Sequence, residues 1–277
     1  MIPDDVTAEQ LDRIARNELK TLSKDNAEGV AKHLVMAARL IDEDPALAHE
    51  HAVSAARRAG RIAMVRETLA ITAYGVGDFA LALRELRTYR RISGSNNQLP
   101  LMVDSERGVG RPDRALELGR SVDRSTLPND VQASLAIAMS GARLDQGDAQ
   151  AALVELEIPQ LDPDRAFSYS PELYFAYAEV LEELGRADEA AQWRDRADRA
   201  DAALAAASGE VDDETIEVVE EELPVDTGGE ADDGAEPGDS QEPGESQEPG
   251  ESPEPGDSPE PEDHTETGDD AEAQNAD

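Results

Sequence analysis

Histidines, carboxylates, paired glycines and clustered arginines are the residues of this sequence whose types could do chemistry. His33, His49 and His51 would be candidates for metal ligation or proton transfer. On one helix, side chains two residues apart point about 200° from each other. His49 and His51 therefore cannot form the same-face pair that ligands at i, i+4 make, and His33 is isolated in the sequence. All three are expected to be packed or solvated. Carboxylate pairs such as Asp42-Glu43-Asp44 and Glu182-Glu183 carry little information, because 63 of the 277 residues are acidic. Gly75-Val76-Gly77 and Gly108-Val109-Gly110 follow no expected strand and lead into no lysine and hydroxyl set, so they do not read as phosphate loops. Cysteine is absent, which removes disulfides, thiolate metal sites and a cysteine nucleophile together. No catalytic, cofactor or metal site is expected, and the chain is expected not to be an enzyme.

The glycines make better sense as ends of helices. Gly77, Gly110, Gly147 and Gly185 are each followed five residues later by an alanine, Ala82, Ala115, Ala152 and Ala190. A degenerate copy at Glu43 leads to Ala48. A glycine after the last helical turn adopts positive φ at little cost. A small residue on the returning helix lets two helix axes approach closely, which is the form of an antiparallel helical hairpin. Successive elbows at 43, 77, 110, 147 and 185 are 34, 33, 37 and 38 residues apart. In the frame of the elbow, Val35, Leu69, Met102, Met139 and Tyr177 fall eight residues before it, followed by Met36, Ala70, Val103, Ser140 and Ala178.

A period of about 34 residues is that of the tetratricopeptide repeat, and residues 27 to 200 resemble that family, in particular uncharacterised actinobacterial tetratricopeptide-repeat proteins. The chain departs from the family where Arg66, Leu99 and Ala136 replace a frequent large aromatic that Tyr174 alone keeps. The resemblance implies an all-α solenoid of about five hairpins whose first helices line a concave groove. It implies groove positions at His33, Ala37, Glu67, Ile71, Tyr74, Asp104, Arg107, Ile137, Phe175 and Glu179. Packing between repeats is the other expectation for each. The lysine and asparagine set with which some members grip a terminal carboxylate is missing, so the partner implied is a protein or peptide with mixed polar and apolar contacts. Neither its identity nor the oligomeric state follows.

Charge divides the chain. After Ser208 there are 28 acidic residues and no Lys, Arg, Phe, Tyr or Trp, leaving 35 acidic against 25 basic residues in the first 208. Such a segment cannot offset its chain entropy by burial, so residues 1–208 are expected to form the solenoid and 209–277 a disordered acidic tail. Ile216, Val218, Val219 and Leu223 form one aliphatic island within it. Arg57, Arg58, Arg61, Arg84, Arg87, Arg90 and Arg91 cluster on expected second helices, with Arg57 and Arg91 at equivalent positions. They could attract phosphates, and association with RNA or a ribosome, shielded by the tail, is the alternative reading. The net charge of −38 disfavours it.

Thr7 and Gln10 have the spacing of a capping box, and Leu11, Ile14, Leu19 and Leu22 suggest one terminal helix ending near Ser23. Asp25 is expected to cap the next helix, and the last helix to stop at Ser208-Gly209. The connection from Ile158 to Pro171 carries Phe167 and Tyr169, as a binding element or as packing over the hairpin. The acidic amino terminus and the lack of an apolar run of about 20 residues lead to the expectation of a soluble, cytoplasmic protein without membrane contact.

Overall fold

The structure is a computed structural model that describes residues 2–213, with side chains to residue 207. The rest of the acidic stretch, including its aliphatic island, lies outside the described residues. Among the described residues there are eleven α-helices and no strand. After the short α1 (Arg13–Glu18) they form five consecutive hairpins. These are α2 (Lys24–Leu40) with α3 (Pro45–Ala59), α4 (Ala63–Gly75) with α5 (Phe79–Ser93), α6 (Leu99–Gly108) with α7 (Pro112–Gly119), α8 (Asn129–Asp145) with α9 (Ala149–Leu156), and α10 (Ser170–Glu183) with α11 (Ala187–Asp213).

Local chemistry makes each elbow. Gly77, Gly110, Gly147 and Gly185 have φ of 78°, 77°, 76° and 74°. A residue with a Cβ is strained in that left-handed region. Asp44, Asp78 and Asp148 then cap the returning helices, their carboxylates accepting from the N–H groups of Leu47, Leu81 and Ala151 at 3.1, 3.0 and 2.9 Å. Pro45 and Pro112 open α3 and α7, where a missing N–H is harmless. Five residues after each elbow position, Ala48, Ala82, Ala115, Ala152 and Ala190 are all wholly buried.

Each hairpin packs on the next, and first helices also meet directly, α2 on α4, α6 on α8 and α8 on α10. The core is correspondingly divided. One apolar cluster joins Leu99 and Val103 of α6 with Leu116 of α7 and Leu135 and Met139 of α8. The next joins Ala133 and Ala136 of α8, Leu153 and Leu156 of α9, Leu173 and Leu181 of α10 and Ala190 of α11.

Three expectations are corrected. The amino-terminal segment is not one helix: a 3-10 turn over Ala8–Gln10, α1, and a second 3-10 turn over Leu19–Thr21 follow each other. Thr7 N–H does donate to Gln10 Oε1 at 3.1 Å. The chain then restarts because Asp12 caps a new helix, accepting from Ile14 and Ala15 at 2.7 and 3.0 Å, and this leaves Ile14 75% exposed. Second, α2 begins at Lys24 with Ser23 before it, ahead of the expected cap Asp25. Third, α11 continues past Ser208-Gly209 to Asp213. A single glycine costs about 1 kcal/mol in a helix, too little to end one whose preceding residues 202–207 are nearly all alanine.

Candidate functional site

The residues assigned to a groove do lie on first helices: His33 and Ala37 on α2, Glu67, Ile71 and Tyr74 on α4, Asp104 and Arg107 on α6, Ile137 on α8, and Phe175 and Glu179 on α10. Three helices contribute to the network around Arg107. Tyr74 on α4 donates its hydroxyl to Asp104 Oδ2, and Arg107 Nη1 donates to Asp104 Oδ1. The other edge of the guanidinium reaches Asp145 at the end of α8, Nε to Oδ2 at 2.8 Å and Nη2 to Oδ1 at 3.2 Å. Burial, reinforced by the charge of Asp104, pushes the Tyr74 phenol up to about 12. Burial works against the charge on Arg107, but the bonds to Asp145 and Asp104 outweigh it and hold its pKa above the ordinary arginine value. Gly141 makes room for this arrangement, since a Cβ there would collide with the Arg107 guanidinium.

Beside that network is a cleft of ≈380 Å³. Ile137, Ser140, Gly141 and Leu144 of α8 and Glu172, Phe175, Ala176, Glu179 and Val180 of α10 line it, together with Arg107 of α6. Phe175 leaves 51% of its surface open to water, while Ser140 is buried with a hydroxyl that has no hydrogen-bond partner among the described residues. Arg107, Ile137, Phe175 and Glu179 are thus brought together. Tyr74 and Asp104 join Arg107 through the network, whereas Ala37 is buried in the core, Glu67 accepts from Gln98 at 2.8 Å, Ile71 is open to solvent, and His33 faces His51. Asp145, Ser140, Leu144 and Glu172 were missed by the sequence reading. Gly141 was a usable signal, because a glycine inside a helix often marks close approach by another group.

His33 is not isolated. Its Nδ1 lies 2.9 Å from Nδ1 of His51, so one ring donates a proton to the other, and His49 Nδ1 lies 3.1 Å from the Thr72 hydroxyl. Desolvation first, then the other ring and Arg58, hold His33 below the ordinary imidazole pKa. Desolvation does the same to His51, partly countered by Glu50. The pair has no third ligand: among the described residues no group of three or more His, Cys, Asp or Glu could hold a metal.

The arginine cluster is divided by buried carboxylates. Glu85, 2% exposed, holds Arg66 at 2.6 Å and Arg84 at 3.0 Å, and Glu106, 3% exposed, holds Arg87 at 2.8 Å and Arg111 at 2.9 Å. Outside that cluster the partly buried Glu155 gathers Arg120, Arg124 and Arg143. Arg57, Arg58, Arg61, Arg90 and Arg91 make no ion pair with the described residues.

The connection before α10 is pinned from below. The Tyr174 hydroxyl reaches the carbonyls of Asp162 and Arg165, and Phe167 stacks on Tyr169 with centroids 5.3 Å apart and planes 13° from parallel. Among the described residues no helix is long and apolar enough to cross a membrane. No family model matches the chain, and no curated protein matches it.

Proposed function

We propose that the chain is a non-enzymatic interaction scaffold: a tetratricopeptide-like solenoid that grips a peptide or protein segment along its first helices, in the cytoplasm. The acidic stretch from 209 serves in this reading as a solubilising extension. The observation that carries it is the half-exposed Phe175 in a cleft whose other groups are mixed. Ile137, Leu144 and Val180 offer apolar contact, while Arg107, Glu172 and Glu179 offer both signs of charge. Clefts of a few hundred Å³ that combine an apolar lining with a few placed polar groups suit binding. Aromatic residues and arginine are enriched at protein interfaces. Arg107 is already fixed by two aspartates, so a ligand meeting it need not supply the order. The divided core supports the solenoid, because repeats that contact only their neighbours bury apolar surface between successive units.

The alternative of RNA or ribosome association keeps only five of its seven arginines, since Arg84 and Arg87 are held by Glu85 and Glu106. To test the scaffold reading, peptides are selected from a random display library on the full-length chain. Enrichment of related sequences that lose binding to Ile137→Ser is the expected result; no enrichment, or capture indifferent to that change, would refute the reading.

A further inference from the structure

A second concavity, of ≈600 Å³, lies where the end of α3 and the α3–α4 turn meet the 3-10 turn before α2. Its wall carries Arg57, Arg58, Arg61 and Arg66, its floor includes Leu22 and Ile62, and no carboxylate among the described residues lines it. Cations are favoured at a helix C-terminus, which accounts for Arg57 and Arg58 in the last turn of α3. Arg61 and Arg66 lie beyond that helix and still line the same space. Arg66 is placed there by construction. Its Nε donates to Gly60 O at 2.6 Å, its Nη1 to Glu85 at 2.6 Å, and a Cβ on residue 60 would stand 2.6 Å from its Nη2. Arg57, Arg58 and Arg61 have no such carboxylate among the described residues, whereas Arg84 and Arg87 of the next hairpin each do. Three cations without a carboxylate partner among the described residues, around an apolar floor, are the inverse of a chain whose net charge is −38.

The amount of charge decides the ligand. Attraction to this cleft saturates once its three or four cations are met, while repulsion from the rest of the chain grows with every negative charge a ligand brings. A nucleic-acid strand, with one charge per phosphate, exceeds what the cleft can neutralise. A few carboxylates match the guanidinium forks, and aliphatic side chains match the floor. We propose that this cleft docks a short acidic peptide segment bearing aliphatic side chains, at a site separate from the Phe175 cleft and independent of its function. Residues 216–223 of the chain have this chemistry, with Ile216, Val218, Val219 and Leu223 among four acids, and they supply the probe.

A fluorescent peptide of that sequence is titrated into the full-length chain in which the acids from 212 to 222 are replaced by Asn and Gln, so that no internal copy competes. At a salt concentration of about 50 mM, Arg58→Glu with Arg61→Glu is expected to weaken binding at least about tenfold. Arg90→Glu with Arg91→Glu, equally unpaired but outside the cleft, is expected to leave it within about twofold. A peptide with serine at the four aliphatic positions is expected to bind more weakly. Thermal melts check the fold, and if charge reversal lowers them, Arg58→Gln with Arg61→Gln replaces it. Equal binding by the two arginine pairs, no binding by the parent, or preference for a single-stranded oligoribonucleotide overturns the proposal.

Discussion

Gly147 and Gly141 stand six residues apart and are small for different reasons. Gly147 has φ of 76° and open space where a Cβ would go, so only its backbone conformation resists substitution. Gly147→Ala is expected to cost about 1–2 kcal/mol, read as a lowered urea midpoint, with Gly147→Asn milder. At Gly141 the obstacle is the Arg107 guanidinium. Gly141→Ala should displace Arg107 from Asp104 and Asp145, so that adding Arg107→Gln to it costs much less than Arg107→Gln does alone. Additive midpoints would show that the two do not interact. The His33 and His51 pair gives a pH dependence of definite sign. Both folded pKa values lie below the unfolded one of about 6.5, so the unfolded chain binds more protons in that range. The stability due to the neutral pair is complete above about pH 6.5 and is lost as pH falls through the lowered folded values. Urea midpoints between about pH 7 and 5 should fall, and His51→Leu should flatten that fall.

At the scale of the element, the hairpin was readable from sequence because few residue types satisfy its two demands. A positive φ selects glycine, and a close axis crossing selects alanine, so Gly77 with Ala82 or Gly147 with Ala152 stood out at a fixed interval. Ala152→Leu is expected to cost roughly 1–3 kcal/mol through overpacking between α8 and α9, seen in a calorimetric melt. An unchanged melt would mean that the crossing is elsewhere. The first 23 residues were harder, because two 3-10 turns and the Asp12 cap break a pattern whose apolar spacing alone suits a helix. The buried carboxylates were invisible for another reason: in so acidic a chain nothing marks Glu85 or Glu106 as different from the solvated majority. Glu106 links α6 to Arg87 of the preceding hairpin. Glu106→Gln is expected to cost about 1.5–3 kcal/mol, in the range of a hydrogen bond to a charged group, and to uncouple neighbouring hairpins in hydrogen exchange. Likewise His33 and His51, 18 residues apart, meet only because α2 and α3 fold against each other.

At the scale of the whole molecule, part of the candidate site followed from the repeat frame and part did not. Arg107, Ile137, Phe175 and Glu179 come together because the frame places them on α6, α8 and α10 at compatible heights. Asp145 and Glu172 join them from positions near a helix end and a helix start, where the frame made no assignment. Tyr74 shows the limit of reading a groove from register alone: its hydroxyl is occupied by Asp104 and its ring stands edge-on to Phe79, so its first use is to tie α4 to α6. Phe175 has no such use, and the scaffold reading rests on it. A peptide selected on the full-length chain, titrated calorimetrically into wild type, Phe175→Ala and Phe167→Ala, tests this most directly. Phe167 is a fair control, being 36% exposed but stacked on Tyr169 and absent from the lining of the cleft. Loss of affinity by about tenfold or more at Phe175 alone, with all three melts alike, is the expected result. Equal affinities, or a loss at Phe167 instead, would contradict it.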